Sequence, residues 1–298
     1  GEVVTAEIGI PDAAVEAVKP SLILLTEYCT PPMPERKGYG HKGNYGHAVI
    51  IGGSAGKYGA AVISSRAALR AGAGLVTCAL PNLAPLLSFP EIMGFNSGDN
   101  LFFTADSAEA VAGFCREKSA AAIGPGLSRS PESLEFAGNF ILSSDIPLVI
   151  DADALFALDR NTLKAINGRA ILTPHIGEFA NMLGIDKSVT ERNKLQLAME
   201  YAVQNGVYLI LKSSETIISA PDGQQYISVW GTPALSKGGS GDILTGILTA
   251  LIAQGIRLAD ACKLACRIQG DAAGTAQKSR GAFAVTAEDI LNSIGLLP

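Results

Sequence analysis

Short apolar runs alternate with longer, partly polar stretches along most of this chain. The apolar runs are continuous, a pattern typical of parallel strands that are covered on both faces. They predict six buried strands, "HAVIIGG" (47–53), "GLVTCAL" (74–80), "AAAIGPG" (120–126), "PLVIDAD" (147–153), "AILTPH" (170–175) and "VYLILKS" (207–213). The stretches between them predict helices, among them 60–73, 107–118 and 190–206, the last with Thr190 as its N-cap. This alternation predicts an α/β fold, a doubly wound and mostly parallel central sheet flanked by helices.

The two ends of the chain depart from this alternation. "TIISAPDGQQYISVWG" (216–231) contains two strand-like runs joined by "PDG", which predicts a hairpin. Beyond it the pattern predicts only helices, at about 242–255, 259–278 and 286–294. Residues 9–35 hold five prolines and show little periodicity, so they predict a linker or an extended arm.

The composition agrees with an α/β protein and argues against nucleic acid and membranes as its partners. Hydrophobic residues make up 48% of the 298 residues and glycine occurs 33 times, which suits tight turns around a sheet. A net charge of −5 gives no reason to expect nucleic acid or an anionic membrane as a partner. No apolar run approaches the roughly 20 residues that span a bilayer, and no signal peptide is visible.

The five cysteines show no pairing pattern, so a reducing cytoplasm is the simplest location. Cys262 and Cys266 are one helical turn apart and could in principle bind a metal together. The sequence shows no His or further Cys near them, so ordinary buried thiols are the favoured interpretation.

Polar segments follow five of the predicted strands at the point where each strand ends. They are "GGS", "GPG", "DAD", "PHIGE" and "KSSET". Because the carboxyl ends of parallel strands meet at one edge of a sheet, we expect these loops to form a single ligand-binding rim.

A glycine-rich loop, "SKGGSGDILTG" (236–246), opens the first of the C-terminal helices. Two common glycine motifs do not fit the chain: "GGSAGKY" (52–58) has Tyr where a P-loop needs Ser or Thr, and "GPGLSR" (124–129) lacks the third glycine of a dinucleotide fingerprint. Gly239 and Gly241 instead leave several backbone N–H groups free to point one way at a helix start. This predicts an anion site without any basic side chain.

Asp242, at the start of that helix, has two interpretations from local sequence. It could be a cap that accepts backbone N–H bonds. It could also be a general base that takes the proton from a hydroxyl as that hydroxyl attacks a phosphoryl group held in the anion site.

The motifs together resemble a known family. "GGSGDILTGILTALIAQG" resembles the signature of the ribokinase-like superfamily. The remaining segments resemble the ADP/ATP-dependent NAD(P)H-hydrate dehydratase family, in family order: "HKGNYGHAVIIGGSAGKYGAAVISSRAALRAGAGLVT" (41–77), "IGPGL" (123–127), "DADAL" (151–155), "LTPHIGEF" (172–179) and "GTPALSKGGSGDILTG" (231–246). The resemblance covers about residues 24–298, which we take as the ribokinase-like dehydratase domain.

The resemblance implies an enzyme that repairs NADH and NADPH to whose nicotinamide ring water has been added. Members phosphorylate the hydroxyl of the hydrate, with ADP in most bacteria or ATP in eukaryotes, and then eliminate phosphate. With ADP the products are NAD(P)H, AMP and phosphate. Such a phosphoryl transfer implies Mg²⁺ as a cofactor.

The same resemblance assigns roles to individual positions. It implies that Asp242 is the base and contacts the substrate hydroxyl, and that Ala60, Gly126 and His175 also contact the hydrated cofactor. The positions implied to bind the nucleotide are Lys212, Ser213, Ser214, Glu215, Thr216, Gly239, Ser240 and Gly241. Ser213 departs from the family, which more often has glycine there. The carboxylates expected to hold Mg²⁺ through water, with no direct protein ligand, are Asp151, Asp153 and Glu178.

The first residues also carry a resemblance. "GEVVTAEIGIPDAA" (1–14) resembles the end of the epimerase domain that precedes this one in bifunctional members, so we expect residues 1–23 to be a linker or a remnant of such a domain. A natural arm of similar sequence is the alternative. Under both interpretations the segment is so short that we expect no epimerase activity. Family members often form homotetramers, which gives the expected oligomer.

Two other functions stay open at this point. A ribokinase-superfamily kinase of a small alcohol or vitamin precursor would share "GSGD" and ATP, but it would not need "TPHIGE" and "HKGNYG" together. A catalytically idle nucleotide-binding or scaffold protein is the second, although Asp242 and His175 are both present. The sequence does not decide between ADP and ATP, or between hydrated NADH and hydrated NADPH.

Overall fold

The computed structural model of the protein describes residues 8–33, 35–36, 38–86, 88–97 and 101–295. Within these residues one sheet is formed by the strands β1 (Leu22–Leu25), β2 (His47–Ile51), β3 (Leu75–Leu80), β4 (Met93–Asn96), β5 (Ala120–Ile123), β6 (Leu148–Ile150), β7 (Ala170–Leu172), β8 (Tyr208–Leu211), β9 (Ile217–Ser219) and β10 (Gln225–Ser228). The helices are α1 (Asp12–Val18), α2 (Tyr58–Arg70), α3 (Ala108–Cys115), α4 (Pro131–Ser143), α5 (Arg160–Ala165), α6 (Ile176–Leu183), α7 (Lys187–Arg192), α8 (Lys194–Asn205), α9 (Ser240–Ala253), α10 (Leu258–Arg280) and α11 (Ala287–Ser293).

The sheet has the order β1-β10-β9-β8-β7-β6-β5-β2-β3-β4. All neighbours are parallel except β8 with β9 and β9 with β10, which are antiparallel. The predicted α/β fold with a mostly parallel sheet is therefore confirmed. The predicted hairpin is also confirmed, because Ile218 of β9 lies opposite Tyr226 of β10.

Two apolar layers cover the faces of the sheet. Successive residues of β2 point to opposite faces, so that Ile50 joins the core under α2, α9 and α10 while Val49 joins the core under α3 and α4. Both side chains are fully buried. This two-sided burial explains why the strands have continuous apolar sequences.

Helices α2 and α9 cross at very short range. A Cβ atom on Gly246 of α9 would lie 2.1 Å from the carbonyl oxygen of Ser64 in α2, so only glycine fits at this point. The crossing holds the two helices side by side. The contact extends to the cap of α9, because a Cβ atom on Gly239 would lie 3.4 Å from Cδ1 of Ile63 in α2.

The helix predicted at 190–206 is two helices, α7 and α8, and the prediction of Thr190 as an N-cap is wrong. The cap of α7 is Asp186, whose carboxylate accepts the N–H of Ser188 at 2.7 Å. Thr190 is buried inside α7, and its hydroxyl donates to the Asp186 carbonyl at 3.0 Å. Asn193 separates the helices, because its side chain bonds to the Val189 carbonyl at 3.0 Å.

The segment predicted as a linker or arm, 9–35, contains α1 and β1. β1 pairs with β10 and extends the sheet, so the expected boundary at residue 24 falls within a strand. Residues 1–7 of the expected epimerase remnant lie outside the described residues. The described chain contains no helix that is both long and apolar enough to cross a membrane. All five cysteines are free thiols; Cys29 is exposed, and the other four are buried.

Candidate active site

The loops that follow the strands meet, as predicted, at the carboxyl edge of the sheet. The carbonyl of Pro174, after β7, accepts the N–H of Lys212, after β8, at 2.8 Å. A Cβ atom on Gly52 would lie 2.2 Å from the carbonyl oxygen of Pro125, so the loops after β2 and β5 touch. On the β8 side the edge borders a cavity of about 800 Å³, whose walls include His175, Lys212, Ser213, Ser214, Thr216, Trp230, Gly239, Ser240, Gly241, Leu244, Cys266 and Gln269.

The glycine loop forms the floor of this cavity at the start of α9. Gly239 is the N-cap and has a φ of +94°, a left-handed conformation that suits glycine. The amide of Ile243 bonds to the Gly239 carbonyl at 3.0 Å, so the amides of Gly241 and Asp242 precede the first bond of the helix. These two amides and the positive end of the helix dipole are suited to an anion, so the predicted anion site stays a prediction that the geometry permits.

The expectation that this anion site lacks a basic side chain is wrong. A Cβ atom on Gly241 would lie 3.3 Å from the ammonium nitrogen of Lys212. Lys212 directly follows β8, and its side chain reaches from there to the glycine loop at the start of α9. A cation and two free amides therefore face the same space, which strengthens the site for phosphate.

Asp151, at the end of β6, fixes this lysine. Its Oδ1 lies 2.8 Å from Nζ of Lys212, and its Oδ2 accepts the hydroxyl of Thr245 at 2.7 Å. Burial raises the pKa of Asp151, but the charge and hydrogen bond of Lys212 and the bond from Thr245 outweigh this effect and hold the pKa below its usual value. Asp151 is thus an ionised buried carboxylate that links β6, β8 and α9.

Asp242 lies next to this pair without a hydrogen bond of its own within the described part of the chain. Burial, and then the negative charge of Asp151, raise its pKa to about 6, while Lys212 opposes the shift. Because the N-cap of α9 is Gly239, the interpretation of Asp242 as a cap gains no support. The geometry suits a base, since a carboxylate with a raised pKa that is still ionised near pH 7 accepts a proton readily.

His175 and Glu178 form a reciprocal cap at the start of α6. Nδ1 of His175 accepts the N–H of Glu178 at 3.1 Å, and the Glu178 carboxylate accepts the N–H of His175 at 2.8 Å. Because Nδ1 accepts a hydrogen bond, the neutral ring carries its proton on Nε2. The His175 side chain is 58% exposed and lines the cavity, and its Nε2 lies 3.5 Å from Oε1 of Glu178.

Gly126 and Ala60, both predicted to contact the substrate, lie together. Gly126 has a φ of +64°, and a Cβ atom there would lie 2.3 Å from the Lys57 carbonyl oxygen and 3.2 Å from Cβ of Ala60. The hydroxyl of Ser54 donates to the Gly126 carbonyl at 2.8 Å, which fixes this loop against the one after β2.

Two predicted site residues point elsewhere. Glu215 does not line the cavity; its carboxylate lies 2.8 Å from the ammonium nitrogen of Lys194. Asp153 faces Arg129 and Lys57 rather than Asp151 or Lys212. The other positions predicted to bind the nucleotide all border the cavity.

Two side chains at the site were missed by the sequence analysis. Thr245 could have been found, because it is a polar residue one turn after Asp242 in a helix that is otherwise mostly apolar. Gln269 gave no such signal; it lies in the middle of α10, and its amide donates to the Ser240 carbonyl at 2.5 Å.

The fold is ribokinase-like, and a carboxylate and free backbone amides lie at the start of one helix of the site. The chain belongs to the NAD(P)H-hydrate dehydratase family, because the family described as Carb_kinase, NAD(P)H-hydrate dehydratase, matches residues 48–295.

Named relatives agree with this assignment. The bifunctional NAD(P)H-hydrate repair enzyme Nnr of Moorella thermoacetica is 37% identical over 98% of this chain and 57% of its own length. This chain therefore spans little more than half the length of such relatives. The ADP-dependent (S)-NAD(P)H-hydrate dehydratase of Bacillus subtilis is 35% identical over 76% of this chain and 79% of its own.

A solved structure shows the same fold. The ADP/ATP-dependent NAD(P)H-hydrate dehydratase from Bacillus subtilis, co-crystallized with ATP/Mg²⁺, superposes with a TM-score of 0.76 and 29% identity. The match covers 91% of this chain and 96% of that one.

Proposed function

We propose that this chain is an ADP-dependent (S)-NAD(P)H-hydrate dehydratase, a hydro-lyase that restores hydrated NADH or NADPH. The observation that carries the proposal is the position of Asp242, a carboxylate without a hydrogen bond to the described residues, beside the free amides of Gly241 and Asp242 and the ammonium group of Lys212. The relatives named as ADP-dependent dehydratases support ADP as the phosphoryl donor.

Each residue of the site has its own role in the proposed reaction. Asp242 removes the proton from the hydroxyl of the hydrate as its oxygen attacks the β-phosphoryl group of ADP, and AMP leaves with the bridging oxygen. The amides at the start of α9 and Lys212 stabilise the negative charge of the transferred group. The phosphate ester then loses phosphate and a ring proton, which restores the double bond. The net reaction is hydrate plus ADP giving NAD(P)H, AMP and phosphate.

His175, Gly126 and Ala60 hold the substrate. The His175 ring lines the cavity wall, and Gly126, which has no side chain, permits a close approach of the substrate to the backbone. Ser213, Ser214 and Thr216 line the nucleotide side, where their hydroxyls and amides can bind phosphate.

Two of the carboxylates expected to hold Mg²⁺ through water are engaged with basic side chains. Among the described residues no group of three His, Cys, Asp or Glu side chains could hold a metal ion. Asp151 is bonded to Lys212 and Thr245, and Asp153 to Arg129. We infer that Mg²⁺ is carried by the nucleotide phosphates, whose charge it neutralises, with Glu178 as the remaining carboxylate near Lys212.

The test is to mix the protein with hydrated NADH, Mg²⁺ and either ADP or ATP. NADH that appears at 340 nm in step with AMP supports the proposal, and faster turnover with ADP supports the nucleotide assignment. A folded preparation that produces no NADH with either nucleotide refutes it. Consumption of ATP with a small alcohol, and none with the hydrate, would instead support the kinase alternative.

Three further expectations, on the oligomer, the location and the domain bounds, belong to the same proposal. We expect a homotetramer, which light scattering after size-exclusion chromatography measures. We expect a cytoplasmic location, in agreement with free cysteines. The division into residues 1–23 and a domain at 24–298 also stays a prediction.

A further inference from the structure

Two half-exposed cations lie beside the substrate-contact glycine and have no role in the reaction described above. The ammonium nitrogen of Lys57 is 3.5 Å from Oδ2 of Asp153, and Nε of Arg129 is 2.8 Å from Oδ1. The side chains of Lys57 and Arg129 are 55% and 51% exposed, whereas that of Asp153 is only 12% exposed. The carboxylate is therefore underneath and the cations face outwards.

The cluster is held in a defined geometry. Ser128 has a φ of +88°, which is strained for a residue other than glycine, and its N–H donates to Oδ2 of Asp153 at 2.9 Å. The guanidinium of Arg129 stacks on the ring of Phe156 at 3.7 Å from its centroid. Asp153 and Phe156 together fix the plane of the guanidinium and leave part of it open to solvent.

The charges do not balance within the cluster. Two cations share one carboxylate, so a single positive charge is in excess in a protein whose net charge is −5. A purely structural pair would need only one cation, and half-exposed pairs contribute little to stability. An arginine with a fixed plane and a neighbouring lysine is a common arrangement for binding phosphate.

The position of the cluster indicates which molecule carries the phosphate that Lys57 and Arg129 would bind. The backbone of Lys57 packs against Gly126 and Ala60, the two positions proposed to contact the hydrated cofactor. The nucleotide phosphates have their own site at Gly241 and Lys212. A dinucleotide bound at Gly126 carries a diphosphate bridge, and its NADPH form carries a further 2′-phosphate.

We propose that Lys57 and Arg129 bind a phosphate of the hydrated dinucleotide and that Asp153 orients both cations. The proposal rests on the proposed function, because it assumes that the hydrated cofactor binds at Gly126. It adds a substrate-binding site that explains why Asp153 faces these cations instead of the glycine loop.

The test is the steady-state kinetics of Lys57→Gln and Arg129→Gln. We expect each change to raise KM for hydrated NADH or hydrated NADPH roughly tenfold, with KM for ADP and kcat unchanged. Lys57→Arg keeps the charge and should retain the wild-type KM. Lys164→Gln, an exposed lysine on α5, is the matched control and should change nothing.

Three substrates identify the phosphate that is bound. An equal loss with both hydrated dinucleotides indicates the diphosphate bridge, and a loss confined to hydrated NADPH indicates the 2′-phosphate. Hydrated reduced nicotinamide riboside has no phosphate, so its kcat/KM should be the same for wild type and variants.

Unchanged KM values for both dinucleotides in an active enzyme would refute this inference and leave the proposed function intact. An equal loss with the riboside would also refute it, since the effect would then be structural. A wild-type protein that dehydrates none of the substrates would refute the proposed function itself.

Discussion

Asp242 combines a partly buried position with two charged neighbours, and this setting determines how activity should depend on pH. Because its pKa is raised to about 6, the carboxylate is ionised at pH 7 and protonated below pH 6. We expect kcat/KM to fall about tenfold for each pH unit below 6. The measurement is the pH profile of NADH formation between pH 4.5 and pH 8.

Replacing the base should abolish most of the activity. We expect Asp242→Asn to lower kcat by about 10² to 10⁴, the usual contribution of a general base. Asp145→Asn removes an exposed carboxylate after α4 and serves as the control. Turnover that survives Asp242→Asn would mean that Asp242 is not the base.

The same residue should destabilise the folded protein at neutral pH. Its pKa is about 6 in the folded state against 3.8 for a free side chain, so the folded state binds more protons between these values. Stability therefore falls as the pH rises from about 4 to 6 and stays lower above 6. We expect Asp242→Asn to raise the free energy of unfolding at pH 7 by up to about 3 kcal/mol, and to leave it nearly unchanged at pH 3.5. Urea unfolding at both pH values measures this, and a less stable variant at pH 7 would contradict it.

Lys212 forms its ion pair with Asp151 and also interacts with the charge of Asp242. In Asp151→Asn the lysine loses its charged partner and becomes free to pair with Asp242, whose pKa should then fall. We expect a drop in kcat of at least about tenfold and an acidic limb of the pH profile that moves to lower pH. Thr249→Val, which removes a buried hydroxyl one turn beyond Thr245, is a structural control that should leave the pH profile unmoved. An unchanged limb in Asp151→Asn would show that Asp151 has no part in setting the pKa of Asp242.

At the residue scale, the sequence predicts the parts of the site whose residues are close along the chain, but not contacts between residues that are far apart in sequence. The loop at 236–246 contains Gly239, Gly241 and Asp242 together, so the anion site and its carboxylate were predictable. The bond between Asp151 and Lys212 joins residues 61 positions apart, and no local pattern indicates it. The same reason explains why the pairing of Asp153 with Arg129 was not foreseen.

At the scale of single elements, apolar periodicity predicted the six core strands because each is buried on both faces. It missed β1 and β4, which lie at the two edges of the sheet, where one side has no partner strand and the burial pattern is weaker. It also missed the break between α7 and α8, because Asn193 interrupts the helix by a side-chain bond rather than by a glycine or proline.

The close contact between helices α2 and α9 can also be tested. We expect Gly246→Ala to cost about 1 to 3 kcal/mol of stability, since its Cβ would clash with the Ser64 carbonyl oxygen. Activity should fall as well, because the crossing fixes α9, which carries Asp242, against α2, which carries Ala60. Gly138→Ala in α4 has nothing within 4 Å of the new Cβ and should be neutral or stabilising. Thermal unfolding of both variants decides the point; equal melting temperatures would contradict the account of the crossing.

At the scale of the whole molecule, the site exists because β6, β7 and β8 are neighbours in the sheet. Their ends bring Asp151, His175 and Lys212 to one edge, and the long connection through the hairpin then places α9 over them. The rule that parallel strands end at a common edge predicted this rim. It could not predict the direction of each side chain, so Glu215 was placed at the cavity although it pairs with Lys194.

The central claim is that the hydroxyl oxygen of the hydrate is phosphorylated before it leaves. The most direct measurement is to label that hydroxyl with ¹⁸O, run the reaction with ADP and Mg²⁺, and analyse the products by mass spectrometry. We expect one ¹⁸O atom in each released phosphate and none in water. Label that appears in water, with unlabelled phosphate, would mean that water leaves directly and that Asp242 does not activate the hydroxyl for phosphoryl transfer.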